Sequence, residues 1–585
     1  MRDNDIVFFN LHRNYLDHNQ EYGGFLGIYL LAAFVNANGY QGQAFAGTLH
    51  QGKVLIDEIC KAQKAKIIGL YCDYANVTEN SKIARYIKEK YHLPILIGGP
   101  QSNSLNGQFL EDSGIDVIVR GEGELTVSAL LDYYLDDTGS LAQIEGIAYL
   151  SGNQFLQTSD RPPIENLDAL PWIDEECYLI PRKDWHELDI MTGRGCPFTC
   201  AFCHEADHTK GVRFRSVENV LAEIDAFFTR HSFSKTPYIM FTDDAFTLNP
   251  ERVHKICEGL ALRKKKWGFQ WFCEGHIHTL AQHPEMIQDM AKAGLQRIQL
   301  GIEAGTEQVL KSYRKNTDPE EIKKVVAICR DAGIQQIYGN IILGSAFFSR
   351  ETFQKDLAFG KELLHLGKGT LELGVVTYWP LPGTSMTDYP EKYQIKIVDK
   401  EFQTSVDDFP QTETAELKRH QILQFVQKME QEFTEVRKTM LLHGEVPMER
   451  ILSWYPSSSV FKSYGLWWKT LCELPHLQAY GHLLLKQDGM TGKEAAIMGK
   501  KAHPMRLLPL IGCLQWDGCT GRIANQELTL QETETLILCT GRMNCEEIFA
   551  NLKERGILKG YDEVENIFHR LEKAYLIIYS NEWED

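Results

Sequence analysis

The run Gly193-Arg-Gly-Cys-Pro-Phe-Thr-Cys-Ala-Phe-Cys203 places three cysteines close together, namely Cys196, Cys200 and Cys203. Three thiolates on one short loop can hold three irons of a four-iron cluster and leave the fourth iron open. A cluster whose irons are all bound by cysteine only transfers electrons, whereas an open iron can bind and reduce a substrate. The alternatives are three structural cysteines or a zinc site with His204 as fourth ligand, although the second ligand pair of ordinary zinc modules lies farther away. The spacing favours an iron–sulfur cluster.

Length and composition bound the class of protein. The 585 residues suit about three to four domains. A net charge of −18 disfavours a nonspecific nucleic-acid binder. No apolar run is long enough to span a bilayer, which predicts no membrane partner. The start of the chain lacks a signal-peptide pattern, and its 14 cysteines are scattered except for the triplet, so we expect reduced thiols and a cytoplasmic location.

Residues 1–139 alternate apolar strands with helices. The predicted strands are Asp5–Asn10, Ile67–Tyr71, Pro94–Gly98 and Ile115–Val119, and the predicted helices are Phe25–Asn36, Thr78–Tyr91 and Leu125–Leu135. Strands that are apolar throughout and separated by helices indicate a parallel sheet covered on both faces. We therefore predict a Rossmann-like, doubly wound α/β domain that binds its ligand at the carboxyl ends of the strands.

A connector at 140–186, with a hairpin turn at Ser151-Gly152, leads to a second strand–helix series at 187–389. Its six strands are predicted to start near Leu188, Tyr238, Phe269, Arg297, Gln336 and Leu371. Helix starts are signalled by Asn249-Pro250 and by Asp318-Pro319. Six strands are too few for a closed eight-stranded barrel, so we predict an open, partial (β/α)6 barrel.

The remainder is predicted to be mostly helical. Residues 390–525 contain a long polar helix pattern at Thr414–His443 and an aromatic-rich patch, comprising Trp454, Tyr455, Tyr464, Trp467 and Trp468. Residues 526–585 follow the order helix, helix, helix, strand, with the elements Glu532–Cys539, Cys545–Arg555, Val564–Ala574 and Tyr575–Tyr579. That order fits a small winged-helix-like module.

These residues carry a family resemblance over about residues 5–385. The cysteine loop after the first barrel strand resembles the signature of radical S-adenosylmethionine (SAM) enzymes, and the partial barrel agrees with it. Upstream, Tyr71–Asn76, Gly98–Pro100 and Arg120–Glu124 resemble the cobalamin-binding domain fused to one large subgroup of them. The resemblance implies a [4Fe-4S] cluster bound by the three cysteines, SAM and cobalamin as cofactors.

The implied cobalamin-binding residues lie in three segments. They are Tyr71, Cys72, Asp73, Tyr74, Asn76, Gly98, Gly99, Pro100, Gly121, Glu122, Gly123 and Glu124. Glycine, lacking Cβ, lets the backbone approach a large flat ligand. The Asp-x-His-x-x-Gly motif of many cobalamin proteins is not matched by Asp17–Gly23; His12 or His18, or a side chain of Tyr71–Asn76, remain candidates for the cobalt's lower side. A nucleotide-binding Gly-x-Gly-x-x-Gly after the first strand is missing, which disfavours NAD.

Two groups of residues are candidates for SAM. Phe202 either shapes the adenine pocket or only packs. Asp243 and Asp244 follow the second barrel strand, where family members contact the SAM ammonium, and carboxylates suit a cation. The alternative of a helix N-cap is already filled by Asn249. Strand alternation favours Asp243 over Asp244.

Glu274, Gln299 and Glu303 end the third and fourth barrel strands, where a barrel places its site. A carboxylate in an apolar strand is costly unless it is paired. SAM hydroxyls or its amino acid group would supply partners, and a structural salt bridge is the alternative for Glu274. Tyr378–Thr384 resembles a segment that shapes the substrate pocket in cobalamin-dependent members, and a proline-rich chain exit is its alternative.

The resemblance implies an enzyme in which a 5′-deoxyadenosyl radical removes hydrogen from an unactivated carbon and methylcobalamin delivers a methyl group, with a second SAM restoring the methyl. The C-terminal pattern resembles peptide-recognition domains, which predicts a peptide or small-molecule substrate. An external electron donor of flavodoxin or ferredoxin type is also implied. Catalytic residues stay unassigned. The alternatives are a non-methylating radical reaction, with cobalamin absent or relaying electrons, and a nonenzymatic iron–sulfur sensor.

Overall fold

A computed structural model describes residues 2–12, 26–74, 76–182, 185–204, 211–398, 409–454, 465–486, 489–524 and 526–580. The chain divides into two compact units. The first comprises Met1–Ala358 and Val375–Gln427, and the second comprises Phe359–Gly374 and Lys428–Asp585. None of the helices within these described ranges has the length and apolar character needed to cross a membrane.

The N-terminal part of the first unit is a seven-stranded sheet in the order β2-β1-β3-β4-β5-β6-β7. Its strands are β1 Asn4–His12, β2 Gly42–Thr48, β3 Ala65–Tyr71, β4 Ile95–Gly98, β5 Val117–Val119, β6 Ile147–Ser151 and β7 Gln154–Gln157. Its helices are α1 Leu26–Ala37, α2 Leu49–Lys61, α3 Val77–Tyr91, α4 Gly107–Ser113 and α5 Glu124–Leu135. Strands β1 to β5 are parallel, which confirms the predicted Rossmann-like sheet.

Both faces of this sheet are covered. Successive side chains of β1 enter different cores: Val7, Phe9 and Leu11 pack in one, whereas Ile6 and Phe8 pack in the other. Alternation along a strand sends neighbours to opposite faces, so a run that is apolar throughout requires cover on both sides. This arrangement leaves the loops at the carboxyl ends of the strands as the accessible edge.

Strand β2 and helix α2 were missed by the sequence analysis. The β2 sequence, Gly-Gln-Ala-Phe-Ala-Gly-Thr, has low strand propensity, and β2 lies at the edge of the sheet. Helix α2 had a usable signal: Thr48 and Gln51 form a reciprocal capping box at its start.

The predicted hairpin in the connector is present, since β6 and β7 pair antiparallel around Ser151-Gly152. Strand β6 also pairs antiparallel with β5. Residues 147–157 therefore extend the N-terminal sheet rather than standing apart from it.

The predicted partial barrel is confirmed as a six-stranded sheet in the order β15-β14-β13-β12-β11-β8. Its strands, with a small hairpin of β9 and β10, are β8 Glu187–Ile190, β9 Gly193–Arg194, β10 Arg213–Phe214, β11 Tyr238–Phe241, β12 Gln270–Gly275, β13 Leu295–Leu300, β14 Gln336–Leu343 and β15 Leu371–Thr377. Its helices are α6 Val217–Arg230, α7 Pro250–Trp267, α8 Ile277–Gln282, α9 Pro284–Lys292, α10 Glu307–Ser312, α11 Pro319–Asp331 and α12 Arg350–Gly367. Both predicted N-caps form, with Asn249 accepting from Arg252 N and Asp318 from Glu321 N.

The segment after the barrel contains α13 Ser385–Asp388, the antiparallel strands β16 Ile395–Ile397 and β17 Thr412–Thr414, and four helices. These are α14 Arg419–Leu442, α15 Met448–Trp454, α16 Leu466–Cys472 and α17 Pro475–Lys486. Helix α14 lies within the predicted polar helix. Of the predicted aromatic patch, Trp467 and Trp468 are buried, whereas Tyr455, Tyr464 and the side chain of Trp454 lie outside the described residues.

The C-terminal region ends in the predicted order helix, helix, helix, strand. Its elements are β18 Gly489–Met490, α18 Gly492–Met498, β19 Pro504–Arg506, β20 Gln515–Trp516, β21 Gly521–Ile523, β22 Gln526–Leu528, α19 Leu530–Leu538, α20 Cys545–Glu554, α21 Tyr561–Lys573 and β23 Ile577–Ser580. Strand β23 pairs antiparallel with β18 and β19. The C-terminal core therefore includes residues that precede position 526.

Candidate active site

The cysteine loop follows the β9 strand and is tied to the barrel on both sides. Ala201, which is buried, donates its N–H to the Tyr313 carbonyl at 2.8 Å. Its own carbonyl accepts the Met386 N–H at 2.9 Å. Two long-range backbone bonds at one residue fix the position of the loop that carries the cysteines.

The three thiols suit a cluster better than a single ion. Cys196, Cys200 and Cys203 are half-buried. Across the described parts of the chain, no group of three or more His, Cys, Asp or Glu side chains is placed to hold a metal ion. Zinc ligands converge on one point, whereas cysteines of a four-iron cluster bind different irons and stay apart. Burial raises the pKa of the Cys200 thiol, and the charge of Lys315 opposes that rise.

Aromatic rings flank the cysteines. The Phe202 ring contacts that of Tyr313 edge-on, with 5.1 Å between centroids, and the Lys315 ammonium lies 5.9 Å from the Phe202 centroid. On the other side, Phe198 stacks on His276 at 3.6 Å. Burial, together with Lys315 and His278, lowers the pKa of His276 to about 3, so this ring is neutral. The Phe202 ring thus packs against Tyr313, and the Lys315 ammonium lies near the same ring.

The two predicted aspartates have different environments. Asp243 is buried, and both of its oxygens are occupied by Thr192, whose N–H donates at 2.5 Å and whose hydroxyl donates to the second oxygen. Burial raises the pKa of Asp243 to about 6 even though these bonds oppose the rise. Asp244 is exposed and accepts the Gly195 N–H at 3.0 Å. The structure therefore leaves Asp244, and not the preferred Asp243, with an oxygen available to a ligand.

Glu274 and Gln299 are neighbours across β12 and β13, and the Gln299 amide donates to Glu274 at 3.0 Å. Burial, followed by the charge of Asp244, raises the pKa of Glu274 to about 7. Glu274 and Gln299 therefore form one polar pair at the carboxyl ends of these strands, with no salt bridge to Glu274 among the described ion pairs.

Glu303 lies in a left-handed backbone conformation, with φ of 62°, and bonds through its backbone to Asn340 and Ile342. Its carboxylate accepts from Lys315 at 2.7 Å, and the two side chains are only 14% and 9% exposed. Lys315 was missed by the sequence analysis, because the Arg314-Lys315 pair lies in a loop without a motif. His276, which lies between β12 and α8, also belongs to no recognisable motif and was missed.

Replacing Glu274 with Gln gives a prediction for pH dependence. The unfolded carboxyl ionises near 4.5 and the folded one near 7, so folding loses stability as pH rises between these values. The Glu274→Gln variant removes that loss. At about 1.4 kcal/mol per pKa unit, and allowing for partial exposure, we expect the variant to gain about 2 kcal/mol at pH 8 and little at pH 4.

Urea unfolding of the metal-free protein at both pH values measures this gain, with Glu89→Gln on the exposed surface of α3 as control. Equal gains at pH 4 and pH 8 would contradict the shift assigned to Glu274.

On the N-terminal sheet, the predicted cobalamin residues follow β3, β4 and β5. Cys72 and Asn76 are fully buried, and the Asn76 amide donates to the Tyr71 carbonyl at 3.1 Å, so these residues shape the loop. Asp73 and Tyr74 are half-buried.

The histidine candidate His12, at the end of β1, is buried. Burial lowers the pKa of His12, and the charge of Asp73 opposes this. His18 lies outside the described residues.

The predicted glycines differ in what surrounds them. A Cβ on Gly99, at φ +115°, would lie 2.7 Å from the Cys72 carbonyl oxygen. Gly98 is half-buried and Pro100 is exposed.

Gly121, at φ +74°, has no atom within 4 Å of where a Cβ would stand, so space is open beside it. A Cβ on Gly123 would meet Leu31 at 3.1 Å. Open space at Gly121 and exposed Pro100 fit a large ligand along this edge.

Glu122 and Glu124 face the cysteine loop. Glu124 accepts from Arg194, and Glu122 accepts from Arg213 at 2.6 Å. Arg194 lies two residues before Cys196 in the chain. The turn after β5 is therefore joined by charge to the loop that carries the cluster ligands.

A second contact joins the same two edges. The Tyr74 ring, after β3, lies 4.7 Å from the ring of Trp379, which follows β15. Since both contacts are made by residues that follow strands, the carboxyl edges of the two sheets face each other. The turn that contains Gly121 and the cysteine loop thus belong to the two facing edges, which the Glu124–Arg194 pair joins.

Comparison with known families agrees with this arrangement. The B12 binding domain family matches residues 21–131, and the radical SAM superfamily matches residues 190–359. The chain contains a radical SAM domain and a B12-binding domain. The cofactors of these two domains are a [4Fe-4S] cluster, SAM and cobalamin.

Relatives of this radical SAM protein have different activities. An uncharacterized methyltransferase of Pyrococcus horikoshii is 28% identical over 318 residues, which cover 53% of this chain and 65% of the relative. An anaerobic magnesium-protoporphyrin IX monomethyl ester cyclase of Cereibacter sphaeroides is 29% identical over 249 residues, covering 41% and 40%. The chain thus spans less than two thirds of either relative.

Two solved structures share the fold. That of the cobalamin-dependent radical enzyme OxsB, with aqua-cobalamin and SAM bound, aligns with a TM-score of 0.59 and 16% identity over 98% of this radical SAM protein and 84% of OxsB. That of the methyltransferase TsrM from Kitasatospora setae, with cobalamin and a [4Fe-4S] cluster, gives 0.55 and 15% identity over 67% and 80%. At these identities the comparison shows the fold.

Proposed function

We propose that this protein is a cobalamin-dependent radical SAM methyltransferase that acts on an unactivated carbon of a peptide or peptide-derived substrate. The observation that carries the proposal is that the B12-binding domain contacts the radical SAM domain beside the cysteine loop. Two contacts, Tyr74 with Trp379 and Glu124 with Arg194, join the domains there. The P. horikoshii methyltransferase relative also supports methyl transfer.

When bound, the cluster with SAM supplies a carbon-centred radical, and cobalamin supplies a methyl group. The chain's own residues hold and orient these groups. Cys196, Cys200 and Cys203 bind three irons, and exposed Asp244 accepts hydrogen bonds from the SAM ammonium. Lys315, held by Glu303, places a positive charge beside the cluster loop, where it binds the SAM carboxylate.

On the side of the B12-binding domain, the half-buried Asp73 and Tyr74 would contact cobalamin, and the open turn at Gly121 would leave room for its bulk. The Tyr74 ring packs against that of Trp379 and so joins the two domains beside the loop that follows β3. An external reductant of flavodoxin or ferredoxin type would supply the electron.

The peptide substrate is proposed from the C-terminal unit alone. There β20 lies at the edge of a three-stranded antiparallel sheet, β20-β21-β22. Both residues of β20 are exposed, with Trp516 43% exposed. An extended peptide can add a strand to such an edge through main-chain hydrogen bonds. This supports recognition of a peptide by the C-terminal unit.

The experiment that tests the function needs no knowledge of the substrate. Protein reconstituted anaerobically with iron, sulfide and hydroxocobalamin is incubated with trideuteromethyl-SAM and titanium(III) citrate. We expect 5′-deoxyadenosine, together with transfer of the labelled methyl group to the bound cobalamin, both measured by mass spectrometry. Neither product would form if the protein were only an iron–sulfur sensor.

A non-methylating radical reaction is the second candidate, and the cyclase relative favours it. In that case 5′-deoxyadenosine would form while cobalamin acquires no label. The same measurement therefore separates a methyl carrier from an electron relay.

The two aspartates give a further prediction. Asp244→Asn should weaken SAM binding about tenfold, as loss of a charged hydrogen bond of roughly 1.5 kcal/mol predicts, and should leave the unfolding midpoint near that of the parent. Asp243→Asn should lower the midpoint instead, because the amide NH2 that replaces one carboxylate oxygen is a donor and cannot accept the hydrogen bond from Thr192. Equilibrium dialysis with labelled SAM and urea unfolding measure the two effects. Reversed effects would assign the ligand to Asp243.

A further inference from the structure

Four charged side chains join the B12-binding domain to the radical SAM domain, and we call them the interdomain clasp. They are Glu122 on the turn after β5, Glu124 at the start of α5, Arg194 on β9 and Arg213 on β10. The Arg194 guanidinium donates to Glu124 and lies 3.4 Å from Glu122. Arg213 donates to both oxygens of Glu122, at 2.6 and 3.2 Å. Each arginine therefore engages the turn of the other domain.

The clasp is largely shielded from water. The side chains of Glu124, Arg213, Arg194 and Glu122 are 5%, 11%, 16% and 22% exposed. Buried charge pairs are screened little by salt. The planar fork of arginine also binds a carboxylate with fixed orientation, which lysine does not reproduce. These pairs therefore fix geometry as well as joining the domains.

A shift in the position of Arg194 directly shifts the first cysteine of the loop. Arg194 pairs with Arg213 across the β9–β10 hairpin. The next residue, Gly195, is held by Asp244 and has left-handed φ of 93°, where a Cβ would collide with the Gly211 carbonyl. Cys196 follows at once. A shift of Arg194 therefore cannot be absorbed by a flexible linker before the first cluster ligand.

The same turn also borders the region where cobalamin is proposed to bind. Gly121, immediately before Glu122, is exposed and borders open space. Glu122 is held in addition by the Ile164 N–H at 2.8 Å. The backbone of this turn at Gly121 would therefore face the cobalamin, while its carboxylates pair with the arginines next to the cluster loop.

We propose that the interdomain clasp sets the separation between the cluster and the cobalamin. Glu124 and Arg194 are then positioning residues for methyl transfer from SAM to cobalamin. This inference rests on the proposed function, since it requires both cofactors in one space. It assigns to the two glutamates a role toward the cluster loop rather than direct contact with cobalamin.

The decisive readout is the magnetic dipolar coupling between the reduced cluster and cob(II)alamin, measured by pulsed EPR in the reconstituted full-length protein. This coupling depends on the distance between the two centres and not on turnover. In Glu124→Gln, with iron and cobalamin content determined first, we expect a weaker coupling with a broader distance distribution. We also expect at least a tenfold slower transfer of labelled methyl from SAM to cobalamin.

The matched control is Asp225→Asn, which breaks another two-pronged arginine pair, Arg263 with Asp225, within the radical SAM domain. Its coupling and transfer rate should equal those of the parent protein. The charge-swapped double variant Glu124→Arg/Arg194→Glu keeps an ion pair across the domains, and we expect it to recover part of the coupling lost in Glu124→Gln.

Parent-like coupling and transfer in Glu124→Gln would overturn the proposal. So would loss of both cofactors from Glu124→Gln and from the double variant, since the clasp would then serve folding. If the parent protein never labels its cobalamin, the proposed methyl transfer fails, but the comparison of couplings still decides the role of the clasp.

Discussion

Cys200→Ala protein, reconstituted anaerobically, is expected to lose the site-differentiated cluster and to form no 5′-deoxyadenosine above background. Cys200 is the central ligand of the triplet, and the neighbouring Ala201 is fixed by backbone bonds to Tyr313 and Met386. The loop therefore cannot move another thiol into its place. Iron content, the visible spectrum and 5′-deoxyadenosine measure the loss.

The matched control is Cys519→Ser, which alters an exposed cysteine in the C-terminal unit. It should retain parent levels of iron and of 5′-deoxyadenosine. An unchanged iron centre in Cys200→Ala would contradict the central assignment and would return the triplet to a structural role.

Lys315→Met is expected to have the second largest effect. Removing one partner of a buried ion pair leaves the Glu303 charge uncompensated, which should cost about 3 kcal/mol of stability. If Lys315 also binds the SAM carboxylate, SAM affinity should fall by about 100-fold, equivalent to roughly 3 kcal/mol. Urea unfolding of the metal-free protein and dialysis with labelled SAM measure the two losses separately.

The double variant Lys315→Met/Glu303→Gln distinguishes the two roles of Lys315, because it removes the uncompensated charge. Stability should recover while SAM affinity stays low. Recovery of both would show that Lys315 acts only as a partner of Glu303. Lys311→Met, an exposed lysine paired with Glu307 on α10, is the control and should change neither quantity.

The sequence predicted the architecture of the first unit because its signals are local. Apolar strands, N-caps at Asn249 and Asp318, and the cysteine spacing each depend on a few adjacent residues. The edge strand β2 was missed because its Gly-Gln-Ala-Phe-Ala-Gly-Thr sequence consists mostly of small residues and lacks β-branched residues before Thr48.

The site was predicted less completely because its contacts are not local. Strand alternation favoured Asp243 for the ligand, yet Thr192 occupies both of its oxygens. Lys315 reaches Glu303 from a loop 12 residues away, and Arg194 reaches Glu124 across 70 residues. Nothing in the spacing of these charges along the chain indicates which of them meet.

The packing around Gly99 affects how variants of this protein should be interpreted. Any side chain at position 99 would strike the main chain of Cys72, whether or not a corrinoid is bound. A defective Gly99→Ala protein would consequently reveal damage to the β3–β4 junction and would be a misleading test for vitamin dependence. Truncating the half-buried Tyr74, which the proposed function places beside the cobalamin, avoids this main-chain collision and is the cleaner test of vitamin binding.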